Sequence, residues 1–315
     1  MSNMKPLADA LKEQFTIVNL GCIGDTDYRL PRNIVRALTV VEVDAEGGAQ
    51  TQSPYYRKIQ IAAPIAGTPG KHTFIRNTFA GTCSLLRPRP GKVEAFGMQQ
   101  YFQEIGTVEL ECETLPEMLR REKVATLDFL KTDVEGLDSA IIRSCREYLG
   151  KTLCLQCELR FSPFYETEPC FHETVSFLAE YGYEVLDIVH IDRWKYQTAH
   201  WQWQLEGRAV WADFLFVLSP EKLAEAFGED LPLSAAKQII LCCTLGKKNY
   251  GEYLLQRFDL QLPEPWKAEL RAIVRPGWPG FTWMRSALRH FFMPVELFLK
   301  HRINRSRHVS VRLGR

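Results

Sequence analysis

Lys131, Asp133 and Glu135 alternate along "LDFLKTDVEGLDSAII" (residues 127–142), where an apolar run suited to a buried strand meets a helical pattern. On a strand, Leu127, Phe129, Lys131 and Asp133 share one face. A lysine buried unpaired there costs several kcal/mol or loses its proton, so it needs a carboxylate nearby. Asp133 stands two residues on, and Glu158 ends the next apolar run, "LCLQCEL". A buried structural ion pair would use the same residues without doing chemistry. The position at strand carboxyl ends, where α/β sheets collect ligands, favours a site.

A second set lies earlier. "IVNLGCIGDTDYR" puts Gly21 and Gly24 directly after a strand, where small residues let the backbone approach a ligand and a helix start suits a polar group. Glu42, near the end of the next strand, is placed to accept both hydroxyls of a ribose. A dinucleotide fingerprint anchored on Gly21 would want glycines at 23 and 26, where the chain has Ile23 and Thr26. A cofactor with a ribose and no phosphate, such as S-adenosylmethionine (SAM), fits better.

These sets must be positioned by alternating strands and helices. A helix over residues 5–14 precedes the strands "FTIVNLG", "ALTVVEVD" and "KIQIAAPIAG", then a hairpin-like "GKHTFIRN". "AGTCSLLRPRPGKVEAFG", rich in Gly and Pro, reads as loop. "TVELECETLPEML" reads as a strand and a helix, with Thr114 as N-cap and Glu117 closing a capping box. Further strands are "KTLCLQCEL", "YEVLDIVHI" and "AVWADFLFVLS", with a helix near 171–181. "SAAKQIILCCTLG" and "YGEYLLQRF" read as two short helices. The pattern predicts an α/β fold with a mostly parallel sheet and helices on both faces.

Three quoted segments, "ETLPEML", "LDFLKTDVEGLDSAII" and "CELRFSPFYETEPCFHETVSFLAEYGYEV", resemble the FkbM family of SAM-dependent O-methyltransferases over roughly residues 15–219. The resemblance implies a class I methyltransferase (Rossmann-like) fold, SAM as methyl donor, and a hydroxyl acceptor on a glycan or related natural product. It matches Gly21 and Gly24 to the SAM loop and Glu42 to the ribose acid, and Asn19 and Asp133 complete the expected cofactor-binding set. Lys131, Asp133 and Glu135 match the family hallmark, and Glu158 the following strand end. Asn19 stands where the family usually has Asp, Asp25 replaces a second glycine, and Asp138 replaces Glu. Asn19 and Asp25 motivate the alternative of a catalytically inactive methyltransferase-fold binding or assembly protein.

Methyl transfer to an aliphatic hydroxyl needs a positioned acceptor and a general base. Asp133 is the first candidate for that base or for orienting the hydroxyl, Glu158 the second, with Lys131 fixing the carboxylates. Adjacent carboxylates can coordinate a divalent ion, but no sequence feature demands a metal. Trp194, Trp201 and Trp203 with His200 fill an insert before the last strand, and together with Glu135 they are substrate candidates. Aromatic faces suit a sugar ring, although the same tryptophans can simply pack the insert onto the core.

The organisation expected is a methyltransferase domain over 1–220, a helical extension over 221–262 and a basic, aromatic-rich segment over 263–315. That segment holds 11 Lys/Arg against 3 Asp/Glu, a net of +8, while the rest of the chain, with 28 and 35, carries −7. Within it, residues 281–315 suit an anionic membrane surface, a dimer mate or the chain's own domain. No recognised nucleic-acid-binding module accompanies the charge. The start of the chain has no apolar signal core and no run is long enough to span a bilayer, so the expectation is cytoplasmic, with peripheral contact at the inner membrane face. Nine irregularly spaced cysteines predict buried thiols rather than a metal or redox centre.

Overall fold

A computed structural model of the chain describes residues 5–21, 30–45, 53–197 and 207–275. Its strands are β1 Phe15–Leu20, β2 Leu38–Asp44, β3 Arg57–Ala62, β4 Gly70–Asn77, β5 Glu104–Cys112, β6 Phe129–Thr132, β7 Cys154–Arg160, β8 Tyr183–Trp194 and β9 Arg208–Leu218. Seven of these form one sheet in the order β3-β2-β1-β6-β7-β9-β8. β1, β2, β3, β6 and β7 run parallel, while β9 is antiparallel to both β7 and β8. This is the mostly parallel, Rossmann-like sheet the sequence predicts. All six residues of β1 and six of seven in β2 are buried, as expected for central strands covered on both faces.

The capping box forms as predicted. Thr114 Oγ1 accepts from the Glu117 N–H and Glu117 Oε2 accepts from the Thr114 N–H at 2.9 Å, opening the helix Leu115–Arg121. Elsewhere the sequence reading needs correction. β4 does not join the main sheet but pairs antiparallel with β5, some thirty residues on. The Gly/Pro-rich stretch read as loop contains the helix Pro90–Ala95, started by a proline that is already set for the first helical position. Its Val93, with the adjoining Phe96, anchors a second apolar cluster with Phe164, Tyr165 and Val210. The first helix is shorter than predicted, Leu7–Leu11.

Pro220–Phe227, Leu231–Thr244, Lys248–Arg257 and Glu264–Val274 are helical and contribute to the same core as the sheet. A buried ion pair ties them in. Lys237 Nζ sits 2.9 Å from Asp128 Oδ1, and Asp128 Oδ2 accepts from the Thr16 N–H at 2.8 Å. The compact unit runs to Val274, so the helix Glu264–Val274 belongs with it; residues 275–315 form the second unit. Residues 281–315, assigned above to a membrane or partner contact, lie outside the described residues. No helix among the described residues is long and apolar enough to cross a membrane.

Candidate active site

The strand order reverses between β1 and β6, the place where an open α/β sheet leaves a crevice at its carboxyl edge. Residues in register across a sheet project to one face. Gln60, Glu42, Asn19, Lys131 and Gln156 stand in one such row across β3, β2, β1, β6 and β7. Two residues further along β7, Glu158 is in register with Asp213 of β9, which is in register with His190 of β8. Five strands of a buried sheet thus carry polar side chains at one level. No apolar core requires that.

The glycine and acid positions are built closely together. Gly21 has φ +74°, and a Cβ there would run into the carbonyl of Asp133. Only glycine fits, so the chain leaving β1 touches the chain leaving β6. Asn19 is buried below this contact. Glu42 is buried too, with Oε2 accepting from Gln60 Nε2 at 3.0 Å and 3.3 Å from Lys58 Nζ. A glycine cradle with a fixed carboxylate on the neighbouring strand fits the ribose and methionine ends of SAM. Gly24 and Asp25 lie outside the described residues, as do His200, Trp201 and Trp203.

Asp133 falls just past the end of β6 rather than within it. Its carboxylate is 3.8 Å from Lys131 Nζ, and the two side chains are 46% and 34% exposed. Lys131 has the carboxylate neighbour the sequence reading called for, but the strand ends one residue before Asp133 and leaves the pair half-open rather than buried. Partial exposure lowers the cost of carrying both charges.

Behind this pair lies a buried group that the sequence reading missed in part. Arg160 Nη2 is 3.0 Å from Glu135 Oε2 and 2.8 Å from Glu158 Oε1, and Nη1 donates to Glu168 Oε1 at 3.0 Å. Tyr165 donates its hydroxyl to Glu135 Oε2 at 2.8 Å. Glu168 Oε2 accepts the N–H groups of Phe164 and Tyr165 at 2.8 and 3.0 Å, folding the chain after β7 back over the site. Glu135, a substrate candidate above, is engaged by Arg160 and Tyr165 and has φ +46°. Gly136, at φ +91°, leaves room for the Tyr165 ring, 2.7 Å from where a Cβ would be.

One guanidinium among three carboxylates leaves excess negative charge in a desolvated place. Burial pushes the Glu158 carboxyl up, with Arg160 pulling down and Glu135 and Asp138 adding to the rise. Burial likewise raises Glu135, against Arg160 and the Tyr165 hydrogen bond. Asp138 is fully enclosed beside Thr132, with neither carboxylate oxygen completing a hydrogen bond, and burial pushes it up to about 7. Crowding and burial thus favour the neutral form of these acids, while Arg160 favours the charged form. Asp133 is half-open to solvent, whereas Glu158 is buried against Arg160.

Trp194 packs edge-on against Phe96 and Phe164, centroids 5.6 and 5.3 Å away, and donates Nε1–H to Asp192 Oδ2 at 2.7 Å. Asp213 and His190 are further residues that sequence reasoning missed. Burial, then the charge of Asp133, raises the Asp213 carboxyl, while Lys131 and His190 lower it. No group of three His, Cys, Asp or Glu among the described residues is arranged to hold a metal ion. The eight described cysteines are free.

A protein-family model, the methyltransferase FkbM domain, matches residues 26–185 of the chain. No curated protein and no solved structure matches it.

Proposed function

Because the chain belongs to the FkbM methyltransferase family, we propose that it is a SAM-dependent O-methyltransferase acting on a hydroxyl of a glycan or related natural product. The observation that carries this reading is the contact of Gly21 with the Asp133 backbone at the sheet's switch point, beside the half-open Lys131–Asp133 pair. It brings a glycine cradle and a proton acceptor to one place.

Asn19, Gly21 and Glu42, with Gly24 of the same loop, hold the cofactor. When bound, SAM supplies an electrophilic methyl group on a sulfonium. The protein's work is orientation and proton transfer. Asp133 accepts a hydrogen bond from the acceptor hydroxyl and takes its proton. Lys131, 3.8 Å away, orients that carboxylate. Glu158, held by Arg160, sets the electrostatics behind Asp133 from a buried position. Arg160 and Tyr165 are positioning residues, fixing Glu135 and the loop that follows β7.

Incubation of the protein with labelled SAM and a panel of glycan acceptors, scored for label in the acceptor, tests the reading. Label on oxygen supports it. Label on nitrogen, or none with any hydroxyl acceptor despite SAM binding, contradicts it.

A further inference from the structure

Away from the carboxylates, Arg89, Lys92 and Arg208 converge on a groove of about 420 Å³ lined also by Gly91, Phe96 and Tyr196. Some cations elsewhere in the fold pair with acids, as Arg87 does with Glu104 and Arg120 with Glu147. These three have no carboxylate partner among the described residues. Each is instead tethered by one neutral oxygen. Arg89 Nε donates to the Tyr165 carbonyl at 2.9 Å, Lys92 Nζ to Ser162 Oγ at 2.8 Å, and Arg208 Nη1 to the Tyr196 hydroxyl at 2.8 Å. Tethering fixes the side chains and leaves their charge uncompensated. Three like charges facing one groove repel each other unless an anion enters it.

The groove also has an aromatic wall. Phe96 and Tyr196 stack with centroids 4.9 Å apart and planes at 21°, and Tyr196 is 48% exposed. Such a face takes the flat side of a ring. Tyr165 connects the groove to the candidate active site: its carbonyl holds Arg89 and its hydroxyl holds Glu135.

We propose that this groove binds a sugar phosphate or diphosphate, with the ring against Tyr196 and the phosphate between Arg89, Lys92 and Arg208. It is the recognition end of the acceptor, and so rests on the methyltransferase reading above. A phosphate matches three cations better than a single carboxylate does, since it brings up to two charges and three acceptor oxygens to two guanidinium forks and a point charge.

The test titrates glucose 1-phosphate, inorganic pyrophosphate and unphosphorylated glucose into the full chain by calorimetry, with S-adenosylhomocysteine titrated separately. Both phosphate probes bind the wild type, more weakly as salt rises, and glucose binds at least about tenfold more weakly. The double variant Lys92→Gln/Arg208→Gln loses at least about tenfold in phosphate affinity. It keeps its melting temperature and its affinity for S-adenosylhomocysteine. The surface control Arg120→Gln changes neither. Failure of both phosphate probes to bind the wild type, equal binding by the double variant, or insensitivity to salt overturns the phosphate site while leaving the methyltransferase reading intact. Phosphate binding without S-adenosylhomocysteine binding overturns the acceptor role together with that reading. Phosphatidylglycerol vesicles that bind the wild type and not the double variant, with glucose 1-phosphate inert, assign the phosphate to a lipid and overturn the sugar phosphate.

Discussion

The Tyr165 hydroxyl donates to Glu135 Oε2 at 2.8 Å, the same oxygen that Arg160 Nη2 approaches at 3.0 Å. A tyrosine from the loop after β7 thereby fixes the acid that ends the "LKTDVEG" stretch. Burial and the nearby Glu135 push the Tyr165 phenol up, so it stays a donor across the physiological range. The residues between Lys131 and Glu135 are held from behind, and Asp133 alone among the acids of this stretch faces outward.

Asp133→Asn therefore removes the proposed proton acceptor without disturbing the packing. Methyl transfer should fall by at least about a hundredfold, the usual contribution of a general base. S-adenosylhomocysteine affinity, followed by calorimetry, should stay close to that of the wild type. Full transfer by the variant removes Asp133 from its assigned role.

Gly21→Ala places a Cβ against the Asp133 carbonyl and a side chain at φ +74°. The backbone conformation alone costs about 1–2 kcal/mol, and the collision adds to it. Urea denaturation should show a lower midpoint, and cofactor affinity should fall with it. A variant as stable and as tightly binding as the wild type would show that β1 and β6 need not touch here.

Lys237→Met leaves Asp128 buried with its charge partner gone. Removing one member of a buried pair typically costs about 3–5 kcal/mol. Burial already raises the Asp128 carboxyl, with Lys237 holding it down, so the variant should take up a proton there on folding. Equilibrium unfolding at neutral pH measures the loss. A change under about 0.5 kcal/mol, the range of ordinary surface substitutions, would mean that the helix Leu231–Thr244 is not locked to the sheet by this pair.

Asp138 gives a pH dependence with a definite sign. Its folded-state value, about 7, lies above the ordinary carboxyl value of 3.8. The native state then binds more protons between these values, so the stability Asp138 contributes is present at low pH and is lost as pH rises toward 7. Asp138→Asn should gain on the wild type by a few kcal/mol, order of magnitude, between pH 4 and pH 8. Denaturation midpoints at both pH values check this; a constant difference contradicts it.

Much of this was legible in the sequence, for local reasons. β1 and β2 read as buried strands because they are nearly continuous apolar runs, and Thr114–Glu117 read as a capping box because its spacing is fixed by the helix turn. Lys131 and Asp133 stood out because charges interrupt an apolar run. The pairing of β4 with β5 was not legible, since nothing near either strand specifies a partner outside the main sheet. The helix Pro90–Ala95 was hidden by the proline and glycine at its start, although proline there is a helix-start signal. Arg160 was within reach: it lies two residues beyond Glu158 on one strand face. Its partners Glu135 and Glu168 come from the connections after β6 and β7, which only the fold brings together.

The central claim is that the crevice at the ends of β1 and β6 holds SAM. Calorimetric titration of SAM and S-adenosylhomocysteine into the purified full chain, with NAD as control, tests it most directly. Both adenosyl ligands should bind in the micromolar range, an affinity of about −8 kcal/mol, and NAD should not bind. Absence of binding by either adenosyl ligand would contradict it and leave a methyltransferase fold that serves as a binding or assembly protein.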